Sequence, residues 1–333
     1  MTSTPLHWSD TTHEIMSGDL NVAVAYVTPA GGAVVVSVSP LGLTDRSAGR
    51  IGFTTSLGFP RKLERILDNP QVAFAYHTRE HGFARPEDFV LAQGDAVVDM
   101  HPSAQRLDDV LSATERFFGP GKSGRIWDWL LREYRRARVC VDVDVRRITT
   151  WPDPAADGPH QVTGAAWPDP PAEQRPPQKG TAPRLDVDKL ARKVGSLPHR
   201  LLAYRGADGY PVVVPVKITG HDRTGFRLLT PPGLLPPGGR RAGLLAHSFR
   251  PQNVGLAMTT CTGWLKVHDG TEASYAPHTA TGLAAPPNRT VQALGNGLLA
   301  KHGVRKAGRN GTTDRLRKVA EAQRQKPLPD HGA

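Results

Sequence analysis

The sequence has few cysteines, few aromatic residues and no long apolar run. Two cysteines among 333 residues, Cys140 and Cys261, exclude a disulfide framework and a cysteine-only zinc site. We infer a reducing compartment, and the cytoplasm is the expected location. No apolar run reaches 18 residues, which argues against a membrane-spanning helix. The first residues also lack the basic and apolar regions of a signal peptide.

Apolar content is low at 38%, while 34 glycines and 30 prolines predict long loops. The length suffices for two domains with cores of their own. A formal charge of +11 fits an anionic partner, such as a nucleotide, a phosphorylated cofactor or a nucleic acid. The alternative is a solvated basic tail, because residues 301–326 carry nine cations against two acids. This tail lacks interleaved aromatic residues, which argues against nucleic-acid binding.

Short strands dominate the predicted structure of the first half. Apolar and β-branched runs predict strands at 21–26, 33–38 and 51–55 and from Val72 onward, and alternation predicts strands at 89–98 and 138–148. Gly94 interrupts one strand, which is typical of a bulge or a close backbone approach. Two helical patterns between 103 and 134 are separated by glycine and proline. The pattern predicts a mainly β (α+β) barrel with short peripheral helices.

The stretch 50–98 carries the clearest functional signal. A strand runs into a hydroxyl-rich turn at Thr54, Thr55 and Ser56, and a short helix then starts at Pro60. Arg61 and Lys62 lie in the first turn of this helix. Hydroxyls, cations and free helix-start amides at one place suit a phosphate group. His77 and His81 stand four residues apart on a loop without further nearby ligands, so no metal site is predicted.

The second half of the chain repeats the first after a Pro-rich linker. Residues 211–218 echo the strand at 33–38, 225–230 echo 52–55, and 263–267 echo 94–98. The same order pairs 240–245 with 61–63 and 250–254 with 69–72. We predict a first barrel at 1–152, a linker at 153–187, a second, divergent barrel at 188–300 and a basic C-terminal helix or tail at 301–333. Chance similarity of short β motifs is the alternative.

These motifs together resemble a known superfamily. The run G-F-T-T-S-L-G-F-P-R-K-L-x4-D-N-P-Q-V-A, the strand FVLAQG and the later ITTWPD are similar to split-barrel flavin and deazaflavin oxidoreductases of the pyridoxamine 5′-phosphate oxidase-like type. The resemblance covers about residues 20–152, with a fainter echo at 190–270. It implies two tandem six-stranded split barrels that form an intrachain pseudo-dimer, with FMN in the groove between them.

The resemblance also implies the residues that hold the cofactor. Hydroxyls and cations would bind the phosphate, the strand around Ser37 would lie along the isoalloxazine edge, Gln93 would offer its amide to the ring, and Trp151 would pack near the groove. The complete candidate set is Arg50, Thr54, Thr55, Ser56, Arg61, Lys62, Val36, Ser37, Val38, Gln93 and Trp151. The proline-rich stretch 230–239 replaces the hydroxyl turn in the second repeat, so a second phosphate site is in doubt.

We interpret the chain as an FMN-binding oxidoreductase that transfers hydride to or from a small molecule. No residue stands out as an acid or base, and the residues that grip pyridoxal phosphate in the true oxidase are not identifiable, so catalytic residues stay unassigned. Two alternatives stay open: a reductase that uses the deazaflavin coenzyme, and a non-catalytic flavin- or haem-binding protein. A small-molecule substrate and no membrane partner are expected. Assembly into a further homodimer is left open.

Overall fold

The structure, a computed structural model, describes residues 5–58, 60–120, 138–288, 290–291, 295, 302–303 and 305–325. It is mostly β, with two antiparallel sheets in tandem and a few short helices. This confirms the predicted fold class of two tandem split barrels. Among the described residues, no helix has both the length and the apolar character needed to cross a membrane. The second helical pattern predicted between 103 and 134 falls largely outside the described residues.

The first sheet has the strand order β2-β1-β5-β6-β7-β4-β3, and β8 pairs with β7. Its strands lie close to the predicted ones, although β7 runs three residues further than expected. They are β1 (Val22–Val27), β2 (Ala33–Val38), β3 (Thr44–Asp45), β4 (Arg50–Ser56), β5 (Gln71–Tyr76), β6 (Phe89–Asp99), β7 (Arg138–Trp151) and β8 (Gln161–Gly164). Strand β8 falls inside the segment predicted as a linker.

The second sheet repeats this topology, with the order β10-β9-β13-β14-β15-β12-β11. Each strand therefore has an equivalent in the first sheet at the same place in the order. The strands are β9 (His199–Arg205), β10 (Pro211–Pro215), β11 (Lys217–Asp222), β12 (Gly225–Leu229), β13 (Gly238–Ser248), β14 (Ala257–Val267) and β15 (Glu272–Ala284). The shared order supports a structural repeat over chance similarity of short motifs.

Two glycines show how the two repeats align with each other. Gly94 and Gly263 each follow a β-bulge, in β6 and in β14. A Cβ atom at either position would lie 2.2 Å from a carbonyl oxygen of the neighbouring strand, so both positions require glycine. The predicted equivalences of 211–218 with 33–38 and of 263–267 with 94–98 are therefore correct in strand order. Strand β12 is likewise the equivalent of β4, as predicted.

Two of the predicted equivalences are wrong. Residues 240–245 lie in β13, which corresponds to β5, whereas 61–63 lie in a helix. Residues 250–254 lie around a 3-10 turn between β13 and β14, whereas 69–72 lead into β5. Asn/Pro motifs recur in many turns, and a short basic motif occurs here once in a helix and once in a strand, so the order of such motifs alone misaligned the repeats. Among the described residues, no helix stands between β12 and β13 in the second repeat.

Five α-helices of the described residues surround the sheets: α1 (Asp10–Gly18), α2 (Pro60–Asp68), α3 (Ala104–Phe118), α4 (Val187–Gly195) and α5 (Thr312–Gln325). Helix α2 has the predicted start and end, and it buries Leu63, Ile66 and Leu67 on one face. Helix α5 was expected to be a solvated face leading to a loose tail. It instead packs along α2 and buries Leu316 and Ala320 in the core of the first barrel.

The residues of β1 and β2 alternate between two cores because successive side chains of a strand point to opposite faces. Val24 and Val34 join the interior of the first barrel. Ala25 and Val35 join a larger cluster that also contains the interior of the second barrel. The two sheets thus share one continuous apolar interface, in which β2 contacts β13 and β14 while β10 contacts β5 and β6.

Candidate functional site

The predicted phosphate corner lies where β4 ends and α2 begins. Thr55 and Ser56 are buried at the end of the strand, and Thr54 is half-buried. The Ser56 hydroxyl accepts a hydrogen bond of 3.1 Å from the Gly58 amide, which shapes the turn into the helix. The hydroxyls and the helix start are therefore close along the chain, although Thr54 and Ser56 lie on one face of β4 and Thr55 lies on the other. Their role toward a phosphate stays a prediction.

Lys62 is the most informative residue of this corner. Its ammonium lies 4.7 Å from the centroid of the Phe53 ring, a cation–π contact. Burial lowers the pKa of Lys62 to about 8. Among the described residues, no carboxylate forms an ion pair with it. Lys62 is half-buried, and a partly desolvated cation without a counter-charge is stabilised by a bound anion. Arg61, its neighbour in the helix, is exposed.

A further cation, Arg138, lies beside the predicted corner, whereas the predicted Arg50 lies at the other end of β4. Arg138, the first residue of β7, donates a hydrogen bond of 2.7 Å to the Thr54 hydroxyl. Arg50 lies six residues before Ser56 on β4, about 20 Å away along an extended strand. It instead donates to Asp144 at 2.6 Å. Sequence reasoning missed Arg138 because the pairing of β4 with β7 is a long-range contact.

Strand β2, predicted to lie along the ring of the cofactor, is the last strand of its sheet. It pairs with β1 on one side and faces β13 and β14 of the second barrel on the other. Val36 and Val38 pack toward the interior of the first barrel. The Ser37 hydroxyl donates to the Asn21 side chain at 2.7 Å. Across the interface, the Thr260 hydroxyl donates to the Val35 carbonyl at 3.2 Å.

Gln93 and Trp151 lie deep in the interface between the barrels. The Gln93 amide donates to the Pro211 carbonyl at 2.6 Å and accepts from Arg147 at 2.7 Å. Trp151 is 1% exposed and packs edge to face against Phe89. In this structure both side chains are engaged with protein groups away from the corner. Their roles toward a cofactor stay predictions.

A histidine cluster that sequence reasoning missed lies on the same interface. The imidazole Nε2 atoms of His77 and His247 are 2.8 Å apart. The two histidines occupy equivalent positions in the two repeats. Val72 pairs with the bulge glycine Gly94, and His77 lies five residues after Val72; Ala242 pairs with the bulge glycine Gly263, and His247 lies five residues after Ala242. Equivalent histidines of the two repeats therefore meet directly. Only the repeat alignment, worked out from the bulge glycines, could have signalled this pairing.

The hydrogen bonds fix the tautomers of this pair. His77 Nδ1 lies 3.0 Å from the Ala75 carbonyl and must donate to it, so its Nε2 accepts from His247 Nε2. Burial lowers the pKa of His77 to about 3 and that of His247 well below its ordinary value. His199 lies beside both rings and binds Glu80. No group of three or more ligating side chains in the described part of the chain could hold a metal ion.

Two clefts of the described residues lie on the second barrel, away from the phosphate corner. The larger, of about 490 Å³, is lined by residues that include Arg223, Trp264 and Lys266. The smaller, of about 130 Å³, lies between the linker and β9, near Trp167 and Tyr204. Neither contains a candidate residue from the sequence. The corner is the stronger candidate site because its hydroxyls and its Lys62 ammonium all suit one chemical group, a phosphate.

Comparisons with known proteins gave matches to solved structures alone. No protein-family model matches the chain, and no curated protein matches it. A conserved hypothetical protein of Mycobacterium tuberculosis is 19% identical over 47% of this chain and 91% of its own length, with a TM-score of 0.34. An F420 reductase is 18% identical over 41% of this chain and 94% of its own, with a TM-score of 0.31.

A heme binding protein from Mycobacterium smegmatis is 12% identical and aligns with 89% of this chain and 98% of its own length, with a TM-score of 0.30. Further neighbours are described as pyridoxamine 5′-phosphate oxidase and as a related FMN binding protein. At these identities and scores, the similarities assign neither a function nor a ligand to this chain.

Proposed function

We propose that the chain is a flavin-binding oxidoreductase that holds FMN by its phosphate at the corner between β4 and α2. The flavin would transfer hydride to or from a small molecule. The observation that carries the proposal is Lys62, a half-buried cation whose pKa is lowered by desolvation and which has no carboxylate partner among the described residues. A phosphate monoester carries about −1.5 to −2 charges near neutral pH and would supply the missing counter-charge.

The neighbouring groups fit the same ligand. Hydroxyls of Thr55 and Ser56 stand at the end of β4, and the first amides of α2 have no partner within the helix. Arg61 extends from the same helical turn, and Arg138 approaches from β7. Hydroxyl donors, helix amides and two or three cations form the donor set that proteins use for phosphate.

The edge of β2 fits the remaining part of the cofactor. An edge strand presents backbone N–H and C=O groups that no further strand pairs. Part of this edge already contacts the second barrel, since the Val35 carbonyl accepts from Thr260, so a planar ring bound along the rest of the edge would contact both barrels. Bound FMN supplies the redox chemistry, and the protein binds it, orients it and sets its electrostatic surroundings. This arrangement needs no acid or base from the chain, in keeping with the absence of a candidate in the sequence.

The test compares Lys62→Met with Lys189→Met in the full-length protein. Lys189 is the third residue of α4 just as Lys62 is the third of α2, but Lys189 is exposed. We expect Lys62→Met to weaken FMN binding by about 2 kcal/mol, the scale of one charge-assisted hydrogen bond. Lys189→Met should leave the affinity unchanged. Fluorescence titration gives both values, and equal affinities of the two variants would remove Lys62 from the site.

The same titration separates the alternatives. Riboflavin lacks the phosphate, so it should bind more weakly than FMN to the unchanged protein and should respond little to Lys62→Met. Preferential binding of the deazaflavin coenzyme would replace FMN as the cofactor while keeping the corner. Binding of FMN without turnover by any reductant would favour a non-catalytic flavin-binding role. Failure of every flavin to bind would overturn the proposal.

A further inference from the structure

The C-terminal segment follows α2 from one end to the other. We define this segment as the described residues 302–303 and 305–325, of which 302–303 and 305–309 are helical and α5 forms the rest of the helical part. Gly303 lies against Gly58, just before α2 begins. Arg315 pairs with Glu64 at 2.5 Å in the middle of α2. Gln323 donates to the Leu67 carbonyl at 2.8 Å near its end.

Burial shows that this contact is packed rather than superficial. Leu316 and Ala320 are 2% and 3% exposed and belong to the core of the first barrel. Ala307 is also buried. The segment therefore packs small and apolar residues against the first barrel, and its Arg315 also reaches α2 through the ion pair with Glu64.

The closest approach is at the turn that shapes the phosphate corner. A Cβ atom on Gly303 would lie 2.6 Å from the Gly58 Cα and 2.7 Å from its carbonyl oxygen. These are backbone atoms, which cannot move aside as the end of a flexible side chain can. The amide of the same Gly58 donates to the Ser56 hydroxyl. Any displacement of Gly58 would thus move the hydroxyl and the start of α2 together.

We propose that the C-terminal segment is a clamp that positions the phosphate-binding turn, with Gly303 as the positioning residue. The inference rests on the proposed function, because it assigns the segment to the phosphate end of the same site. The clamp holds the turn 56–58 in the geometry in which its hydroxyl and the helix amides converge. The requirement for glycine at 303 follows from this close approach, since any larger residue separates the clamp from the turn.

The test is Gly303→Ala against Gly308→Ala, each in the full-length protein. Both glycines are helical, so both substitutions change helix propensity in the same way. A Cβ on Gly308 meets nothing within 4 Å. We expect Gly303→Ala to lower the affinity for FMN by about tenfold, the loss of roughly one phosphate contact. The affinity for riboflavin, which has no phosphate, should change by less than about threefold. Gly308→Ala should change neither.

The ratio of the FMN and riboflavin affinities distinguishes positioning from general destabilisation, which weakens both ligands alike. If Gly303→Ala does not fold, Leu316→Ala loosens the same clamp without adding an atom, and the same fall in the ratio is expected. A ratio equal to that of Gly308→Ala would overturn the clamp while leaving the proposed function standing. If the unchanged protein binds no flavin, the proposed function is refuted, and the clamp proposal, which rests on it, is refuted as well.

Discussion

Replacing His77 by glutamine should make the folded protein less sensitive to acid. His77 and His247 are buried as a neutral pair, with the pKa of His77 lowered to about 3 by burial. In the unfolded chain the pKa of a histidine returns to about 6.5. Below that pH the unfolded chain takes up a proton that the folded chain does not, so the free energy of unfolding falls as the pH falls.

The linkage relation gives the size of the effect. Each histidine that stays neutral in the folded state costs about 1.4 kcal/mol of stability per pH unit below about pH 6.5. For His77 the loss continues down to a pH of about 3. Between pH 6 and pH 4 one such histidine removes about 3 kcal/mol. Glutamine can donate to the Ala75 carbonyl and accept from His247 without titrating, so it keeps the contacts and removes this dependence.

Urea denaturation at pH 7, 6, 5 and 4, at constant ionic strength, measures the effect. The free energy of unfolding should fall with decreasing pH in both proteins, but its slope should be smaller in His77→Gln by about 1.4 kcal/mol per pH unit. Exposed His101 provides the control, since His101→Gln should retain the full slope. The neighbouring Arg79, Glu80 and His199 remain in all three proteins, so their contributions cancel. Parallel pH profiles for His77→Gln and the unchanged protein would refute the reasoning.

Two further changes test the interface and the repeat. Arg147, 3% exposed, bridges the two barrels, and Arg147→Met should lower the free energy of unfolding by about 2 kcal/mol because buried Gln93 loses a charged donor and Asp208 loses its counter-charge. Arg227→Met, which removes an exposed ion pair, should cost less than about 1 kcal/mol in the same urea titration. Gly94→Ala should cost about 2–3 kcal/mol because its Cβ would meet the Asp144 carbonyl. Gly282→Ala, with its nearest atom 3.7 Å away, should cost far less, and equal melting temperatures for these two variants would contradict the bulge assignment.

Local patterns predicted the elements well. Strand β2 and helix α2 have the bounds read from their sequence, because β-branched runs and a helix that starts at proline are short-range signals. The glycine of the β6 bulge was also visible, since a lone glycine within a strand pattern commonly marks a bulge or a close backbone approach. The grouping of Thr54, Thr55 and Ser56 with Lys62 followed from their closeness in the chain.

Contacts between distant parts of the chain were beyond such reasoning. Arg50 was predicted to join the corner because it opens the same strand, but an extended strand carries its two ends far apart. Gln93 was predicted to offer its amide to a ring, yet in this structure that amide donates to Pro211 across the interface and accepts from Arg147 on the neighbouring strand. The C-terminal cations predicted a solvated tail, whereas the apolar positions of α5 decided where that helix packs.

The sequence by itself determined the strands, the short helix, the hydroxyl turn and the two-fold repetition, because each depends on residues close together in the chain. Tertiary structure alone decided which of these elements meet. It brought His77 against His247, placed half-buried Lys62 over the Phe53 ring without a carboxylate partner among the described residues, and placed Gly303 on the turn at Gly58. These contacts depend on how two equivalent sheets and a distant helix pack, and packing depends on shape and burial over the whole chain rather than on any local pattern.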